Sequence, residues 1–419
     1  MSKFLPYRIV HLDLAELEKY LDIIHQLQSP AYFVIWWREI PLGHFYFERM
    51  EEKNELRGLI YKNIQPTLDS YSQDQMAIVN IQKAILSSDV NSLEYNMRTI
   101  LGNLLPRDIP DYADISIIIC TRNRSNILIK CLDSLAKQHC KPREIIIVDN
   151  APSDDSTERL VNLTGDIRYI REERPGLDIA RNTGAINAGN NIIAYLDDDV
   201  VIDPFWTYRI MEAFLDNTVD AITGLVLPAS LEAESQVIFE KFWSFNKGYL
   251  QKKYTSGFLK PKDKDCPKVW NIGAGANMAF RKDILEKVNY FDERLDAGAA
   301  GCSGDSEIWF RILRIRGNIL YSPLAIVYHE HRRDMKGLER QLFNYMKGNV
   351  TAALIQHQSE PALNYARHVF RGMTRNYLLL LLGKFRNPGL RHKTIIKEAL
   401  GALSGVIYFS LNRKRKPLT

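Results

Sequence analysis

Between residues 115 and 196 the chain alternates short, wholly apolar runs with stretches of helical period, and this alternation constrains its fold most. Residues 115–119 are a β-branched run. Ser125 then offers an N-cap to a helix with Leu128, Leu132 and Leu135 on one face. Residues 144–148 read as the next strand, 167–170 as a weaker one, 177–187 as a helix and 192–196 as a further strand. A strand that is apolar throughout needs cover on both faces, so the pattern predicts a parallel α/β sheet covered by helices on both faces. Such sheets bind ligands beyond the carboxyl ends of their strands. The residues that end each strand therefore matter most.

Polar clusters stand at three of those ends. Thr121-Arg122-Asn123-Arg124 follows the first strand. Asp149-Asn150, then Ser153-Asp154-Asp155-Ser156-Thr157, follows the second, and Asp197-Asp198-Asp199 follows the fourth. Neither a Gly-x-Gly-x-x-Gly fingerprint nor a P-loop motif is present, which disfavours both kinds of phosphate loop. Three adjacent carboxylates repel and raise one another's pKa unless a cation neutralises them. A hard divalent cation, Mn2+ or Mg2+, prefers such oxygen ligands and shares them with substrate phosphates.

A second chemical region runs from Asn271 to Arg333. Its segment Gly273-Ala274-Gly275-Ala276-Asn277 is small enough to let backbone approach a ligand. Asp305 and Glu307 lie two apart near a helix start, so they point to different faces and serve different ends. His329 and His331 end an apolar strand at 325–328, and one of them is a candidate metal ligand.

At 419 residues the chain should hold two or three domains, at ~100–200 residues each. Two prolines within 105–110 mark a boundary. Residues 1–110 read as an α+β accessory unit. Leu14, Leu17, Leu21, Ile24 and Leu27 recur at helical spacing, and 31–37 and 44–47 are strands joined by a Pro41-Leu42-Gly43 turn. Residues 76–105 are again helical in period, and His25 and His44 read as structural. Residues 111–338 form the chemical domain and 339–419 a helical, basic region. Five cysteines with no Cys-x-x-Cys pair argue for a reducing compartment and against a zinc ribbon. No leader pattern opens the chain, and no run reaches the ~20 apolar residues of a membrane helix. A cytoplasmic location follows as an expectation.

The net charge is +5, but residues 371–419 hold eleven Lys/Arg and one acid, so the rest carries −5. Short apolar helices beside basic clusters, ending in Arg413-Lys414-Arg415-Lys416, suit peripheral contact with the inner face of a membrane. The same helices could instead cap the catalytic domain or form a homodimer contact. The tail lacks interleaved aromatics, which disfavours nucleic acid.

Five segments in order now carry a resemblance: the strand ending in Thr-Arg-Asn-Arg, Val-Asp-Asn…Ser-Asp-Asp-Ser-Thr, Ala180-Arg181-Asn182-Thr183-Gly184, Leu-Asp-Asp-Asp, and Gly304-Asp305-Ser306-Glu307-Ile308-Trp309-Phe310-Arg311. Over residues 113–335 the chain resembles the family 2 glycosyltransferases. The resemblance implies the GT-A fold, a nucleotide-sugar donor (UDP by family habit), a divalent metal and inverting transfer to a saccharide, lipid-linked or other hydroxyl acceptor. It implies Thr121, Arg122, Asn123 and Asp149 around base and ribose, Arg181 on the nucleotide, and Asp197 and Asp198 on the donor side. It further implies Gly275, Ala276 and Asn277 near the donor sugar, Asp305 as general base, and Glu307 and Trp309 on the acceptor side. Asp199 would hold the metal with His329, or with His331 in its place. The family's usual Glu-Asp-x-Asp is written Gly-Asp-Ser-Glu here. Trp37 to Gly43 resembles, more weakly, a strand-turn ahead of the catalytic domain in some bacterial members. Three rival readings remain: a glycoside hydrolase, a sugar nucleotidyltransferase that lacks its glycine-rich loop, and a non-catalytic nucleotide-sugar-binding or scaffold protein.

Overall fold

The computed structural model describes residues 4–25, 29–48, 53–260, 265–386 and 389–413. Leu27 and Lys414 to Lys416 lie outside the described residues. The chain forms two compact units. The first comprises Met1–Ile109 with Ser230–Val237 and Gly248–Gln251. Residues 230–237 and 248–251 carry no cue in the sequence that assigns them there. The second unit takes the remainder, so residues 339–419 belong with the larger unit.

In the first unit β1 (Arg8–Asp13) runs parallel to β2 (Ala31–Trp37), and β3 (Ile40–Phe47) runs antiparallel to β2. The turn falls at Arg38-Glu39, with Arg38 at φ 55, and Pro41 to Gly43 lie inside β3. This corrects the expected Pro-Leu-Gly turn. A two-residue hairpin needs a left-handed residue, and Arg38 supplies it, while Pro41 is tolerated because β3 is an edge strand. α1 (Leu17–His25) lies between β1 and β2, and α2 (Lys53–Tyr71), α3 (Gln75–Ser87) and α4 (Val90–Leu101) follow β3. The helical run expected over 76–105 is cut in two. Ser88 turns left-handed at φ 62, and the Asp89 carboxylate accepts the Ser92 N–H to start the next helix.

The second unit is built on β4 (Tyr112–Thr121), β5 (Lys141–Asn150), β6 (Arg168–Glu172), β7 (Ile192–Asp197), β8 (Val200–Ile202), β9 (Ala221–Pro228), β10 (Lys252–Tyr254), β11 (Asn277–Arg281) and β12 (Ile319–His329). The order is β10-β12-β9-β11-β7-β4-β5-β6, with β8 on β12. Pairings β7–β4–β5–β6 and β9–β12 are parallel; β11 is antiparallel to both its neighbours. The helices are α5 (Ser125–Ala136), α6 (Ser156–Thr164), α7 (Leu177–Asn187), α8 (Trp206–Ala213), α9 (Glu234–Trp243), α10 (Lys282–Lys287), α11 (Gly304–Arg314), α12 (Met335–Ser359), the single turn α13 (Tyr365–Arg367), α14 (Thr374–Arg386) and α15 (Ile395–Asn412). Ser125 is the first helical residue of α5, and the cap position is held by Arg124 without a side-chain bond.

One core joins Ile118, Val148, Tyr195 and Phe280 of the sheet to Ala180 of α7, Trp309 and Ile312 of α11 and Val350 of α12. Burying such aliphatic and aromatic surface is the main force holding helices on the sheet. β12 bulges against β9 between Ser322 and Ile326. Asn277 fills the bulge. Its amide N–H groups donate to Leu225 O (3.1 Å) and Ala325 O (2.8 Å), and its Oδ1 accepts from Trp206 Nε1 (2.9 Å).

Candidate functional site

Sheet register assembles the acidic strand end. β7 ends at Asp197, and the chain turns into β8, whose Val200 pairs with His329 at the end of β12. This antiparallel pair sets Asp199 beside His329, with His329 Nε2 3.3 Å from the Asp199 carboxylate. Ligand atoms of Asp197, Asp199 and His329 all lie within 4.8 Å of one another. Two carboxylates and an imidazole make an O,O,N set that could hold a divalent ion. Burial would raise the Asp199 pKa, but His329 and Arg124 outweigh it and hold the carboxyl far below its usual range. Burial would lower the His329 pKa, and Asp199 outweighs it in the other direction.

His331 stands one layer behind His329. Its Nδ1 is 3.0 Å from His329 Nδ1, and its Nε2 is 2.9 Å from the Glu240 carboxylate. Glu240 can only accept there, so His331 Nε2 carries the proton. Burial lowers the His331 pKa and favours its neutral form. Its Nδ1 then accepts from His329 Nδ1–H, which leaves His329 Nε2 as the atom aimed at the acids. Of the two histidines, His329 is the one that faces Asp197 and Asp199.

Asp198 lines the same edge, but its carboxylate is held by neighbouring protein groups. It is 3% exposed, accepts from Thr121 Oγ1 (2.7 Å) and pairs with Arg124 (2.6 Å). Arg124 also pairs with Asp199 at 2.8 Å, so one guanidinium braces two of the three acids. Arg181 likewise presents no open cation to a nucleotide. Its buried Nη1 donates to Asp178 Oδ1 (2.9 Å) and to Asp296 Oδ2, and its Nη2 lies 3.7 Å from Asp197. It ties Asp197 at the strand end to Asp178 in the first turn of α7 and to Asp296 in the loop before α11.

Asp305 sits in the first turn of α11. Its Oδ2 accepts the Gly275 N–H at 2.9 Å and its Oδ1 the Ser306 N–H at 2.6 Å. Burial, then Asp296, raises its pKa above the ordinary carboxylate value. The residue before it is Gly304 for a steric reason: a Cβ there would meet the Asp178 carboxylate at 2.4 Å. Asp178 and Asp296 thus bring carboxylates to the place where the family writes a glutamate.

Two acceptor-side expectations are corrected. Glu307 is 2% exposed and grips Arg311, with Arg311 Nε donating at 2.7 Å and 2.9 Å. Trp309 is fully buried and stacks on Phe280 with centroids 5.1 Å apart. α11 is enclosed nearly all round, with Ser306 to Phe310, Ile312 and Leu313 all buried, so neither side chain is open to an acceptor. Asn277 and Ala276 are also buried, and every polar group of the Asn277 amide is spent on the bulge. Asp149 is enclosed at the end of β5, where it accepts from Tyr169 Oη at 3.1 Å and burial raises its pKa. Asn123 lies on the surface at φ 54 and accepts from Ser153 N–H.

Two cavities meet here. The larger, about 580 Å3, is lined by Thr121, Arg122, Asn150, Asp197, Asp199 and His329 among others. The smaller, about 300 Å3, is lined by Asp305 with Trp243, Lys247, Trp270, Met373 and Tyr377. Phe245 and Tyr345 line both. The sequence reading missed Lys247, Glu240, Asp178 and Asp296. None stands at a strand end, and only the path of α9 and of the loops brings them in.

A parallel-rich α/β sheet thus brings acids and a histidine together at one edge, beside two adjoining cavities. Residues 116–288 match the model of Glycosyl transferase family 2. Over these residues the chain is similar to that family. It is similar to the glycosyltransferase GlyA of Streptococcus pneumoniae, 32% identical over 113 residues, covering 26% of this chain and 16% of that protein. It is also similar to the pre-mycofactocin glycosyltransferase of Mycobacterium tuberculosis, 22% identical over 264 residues, 61% of this chain and 51% of that one. The chain thus spans about half the length of one of these curated relatives and less of the other. Among solved structures it is similar to the mannosyltransferase PcManGT from Pyrobaculum calidifontis, in complex with GDP-Man and Mn2+. That likeness has 16% identity and a TM-score of 0.48, over 79% of this chain and 97% of that one.

Proposed function

We propose that this chain is a metal-dependent inverting glycosyltransferase that moves a sugar from a nucleoside-diphosphate sugar, UDP-linked, to an acceptor hydroxyl. The observation that carries the reading is the junction of the two cavities, with Asp197, Asp199 and His329 in one and Asp305 in the other. The nucleotide occupies the larger cavity, with Thr121, Arg122 and Asn150 in its wall. A divalent ion held by Asp197, Asp199 and His329, Mn2+ or Mg2+, would supply neutralising charge for the diphosphate leaving group. Asp305 takes the acceptor proton as the hydroxyl attacks. Positioned bases of this kind contribute ~10²–10⁴-fold. One base and direct displacement give inversion.

The acceptor occupies the smaller cavity. Its aromatic walls, Trp243, Phe245, Trp270, Tyr345 and Tyr377, suit a sugar ring. Lys247 makes no side-chain hydrogen bond or ion pair with the described residues, and burial lowers its pKa. An anionic group on the acceptor would pair with it, as on a lipid-linked phosphate or an acidic saccharide. Polysaccharide or glycoconjugate synthesis is the setting such an acceptor implies. The test is calorimetric titration of the intact chain with UDP, GDP and dTDP, each with Mn2+ and with EDTA. Metal-dependent binding of UDP above the others is expected. Binding of none by a folded chain would overturn the reading, and preference for GDP or dTDP would overturn its donor.

A further inference from the structure

α15 is apolar on both sides. Its inward face is Gly401 and Gly405, where a Cβ would meet Phe343 O at 2.2 Å and Lys347 O at 2.5 Å, so the helix lies close against α12. Its outward face is Ile396, Leu400, Leu403, Ile407 and Leu411, between 48% and 82% exposed. These positions recur every three or four residues and form one stripe along the helix. Residues 395–412 hold two charged side chains, Lys397 and Glu398. Glu398 is fully buried, where it accepts from Arg391 at 2.6 Å and 2.7 Å and from Thr394 Oγ1 at 2.6 Å. α14 packs beside α15 through Tyr377 and Ile395 and exposes Leu378, Leu379 and Leu382. Single exposed leucines are ordinary, but eight large aliphatic side chains on two adjoining helices are a surface that water does not favour.

Charge selects the occupant. Glu398 is the one acid between Arg371 and Arg413, and it faces inward. The outward surface of the segment therefore offers no carboxylate, while Arg371, Arg375, Lys393, Lys397 and Arg413 are exposed. Lys414 to Lys416 add three more cations in the sequence. No helix among the described residues is long and apolar enough to cross a membrane. We propose that the outward face of α14 and α15 lies in the headgroup layer of an anionic membrane. Apolar side chains sink into the acyl boundary and the flanking cations meet lipid phosphates. A second copy of the chain is the less favoured occupant, because two such faces would bring like charges together. Met373, Asn376 and Tyr377, which line the smaller cavity, lie on the same stretch of chain, so docking would set that cavity beside the lipid.

The test is co-sedimentation of the full chain with phosphatidylcholine vesicles and with vesicles that also contain phosphatidylglycerol. The intact chain should partition onto the anionic vesicles at least ~10-fold more strongly, and added salt should weaken it. Leu403→Glu with Ile407→Glu should cost at least ~10-fold more. Thermal unfolding checks that this variant is folded; if it is not, L403Q with I407Q takes its place. No partition of the intact chain, or equal partition of intact chain and variant, would overturn the proposal. A dimer that the variant dissociates, with no vesicle binding, would assign the face to a second copy. Neither result bears on the sugar-transfer reading, whose test is nucleotide binding.

Discussion

Replacing Asn277 by alanine separates two accounts of that residue. The family resemblance puts it near the donor sugar, whereas the structure spends it on the β9–β12 bulge. The substitution strands three buried groups: the Trp206 indole N–H and the carbonyls of Leu225 and Ala325. Each unpaired buried group costs about 1–3 kcal/mol. Allowing for partial relaxation, the loss should be about 3–6 kcal/mol. At ~2–4 °C per kcal/mol for a unit of this size, Tm should fall by at least ~6 °C. Calorimetric unfolding of the intact chain measures it, with nucleotide affinity taken well below the transition. An unchanged Tm with a raised KM for donor would refute the structural account and restore the donor role. Asn277→Asp should be at least as harmful, because a carboxylate would then face two carbonyl oxygens and lose both donors.

Asp305→Asn should abolish transfer and leave nucleotide binding intact, which turnover and titration on one preparation would decide. Since burial raises the Asp305 pKa, the base is lost as pH falls through a value above 3.8, and the acid limb of kcat/KM should lie above that pH. A limb at or below it would remove Asp305 from the role. Glu240→Gln allows the amide to donate to His331, disturbs the proton order that aims His329 Nε2 at the acids, and should weaken Mn2+ binding by ~10–100-fold in a direct titration. Unchanged affinity would mean that His329 needs no such partner. Gly401→Ala drives a Cβ into the Phe343 carbonyl and should cost about 1–3 kcal/mol by urea unfolding. A neutral result would show that α15 does not rest against α12 as described.

Much of the sheet was legible because its strands are apolar on both faces and its helices have period. The helix at Leu177–Asn187 and the strand at Ala31–Trp37 fall where the pattern puts them. The hairpin turn was not, because Arg38 at a left-handed angle carries no turn-residue signature. Glu307 and Trp309 misled for a different reason. A motif names neighbours in sequence, but the packing of α11 on all sides decides which of them stay accessible.

The sequence by itself determined that a parallel-rich sheet would gather its polar strand ends on one edge, because side-chain period and the need to bury apolar faces are local properties. It also determined which residues could serve there: acids in a row, histidines at a strand end, an aspartate at a helix start. Only the tertiary structure decided which of them face the cavities and which brace the rest. The β8–β12 pairing brought His329 to Asp199 and left His331 against Glu240, while Arg124 and Arg181 drew acids from distant segments into pairs. Register and long-range charge pairing are set by contacts between segments dozens of residues apart, and no local pattern encodes their outcome.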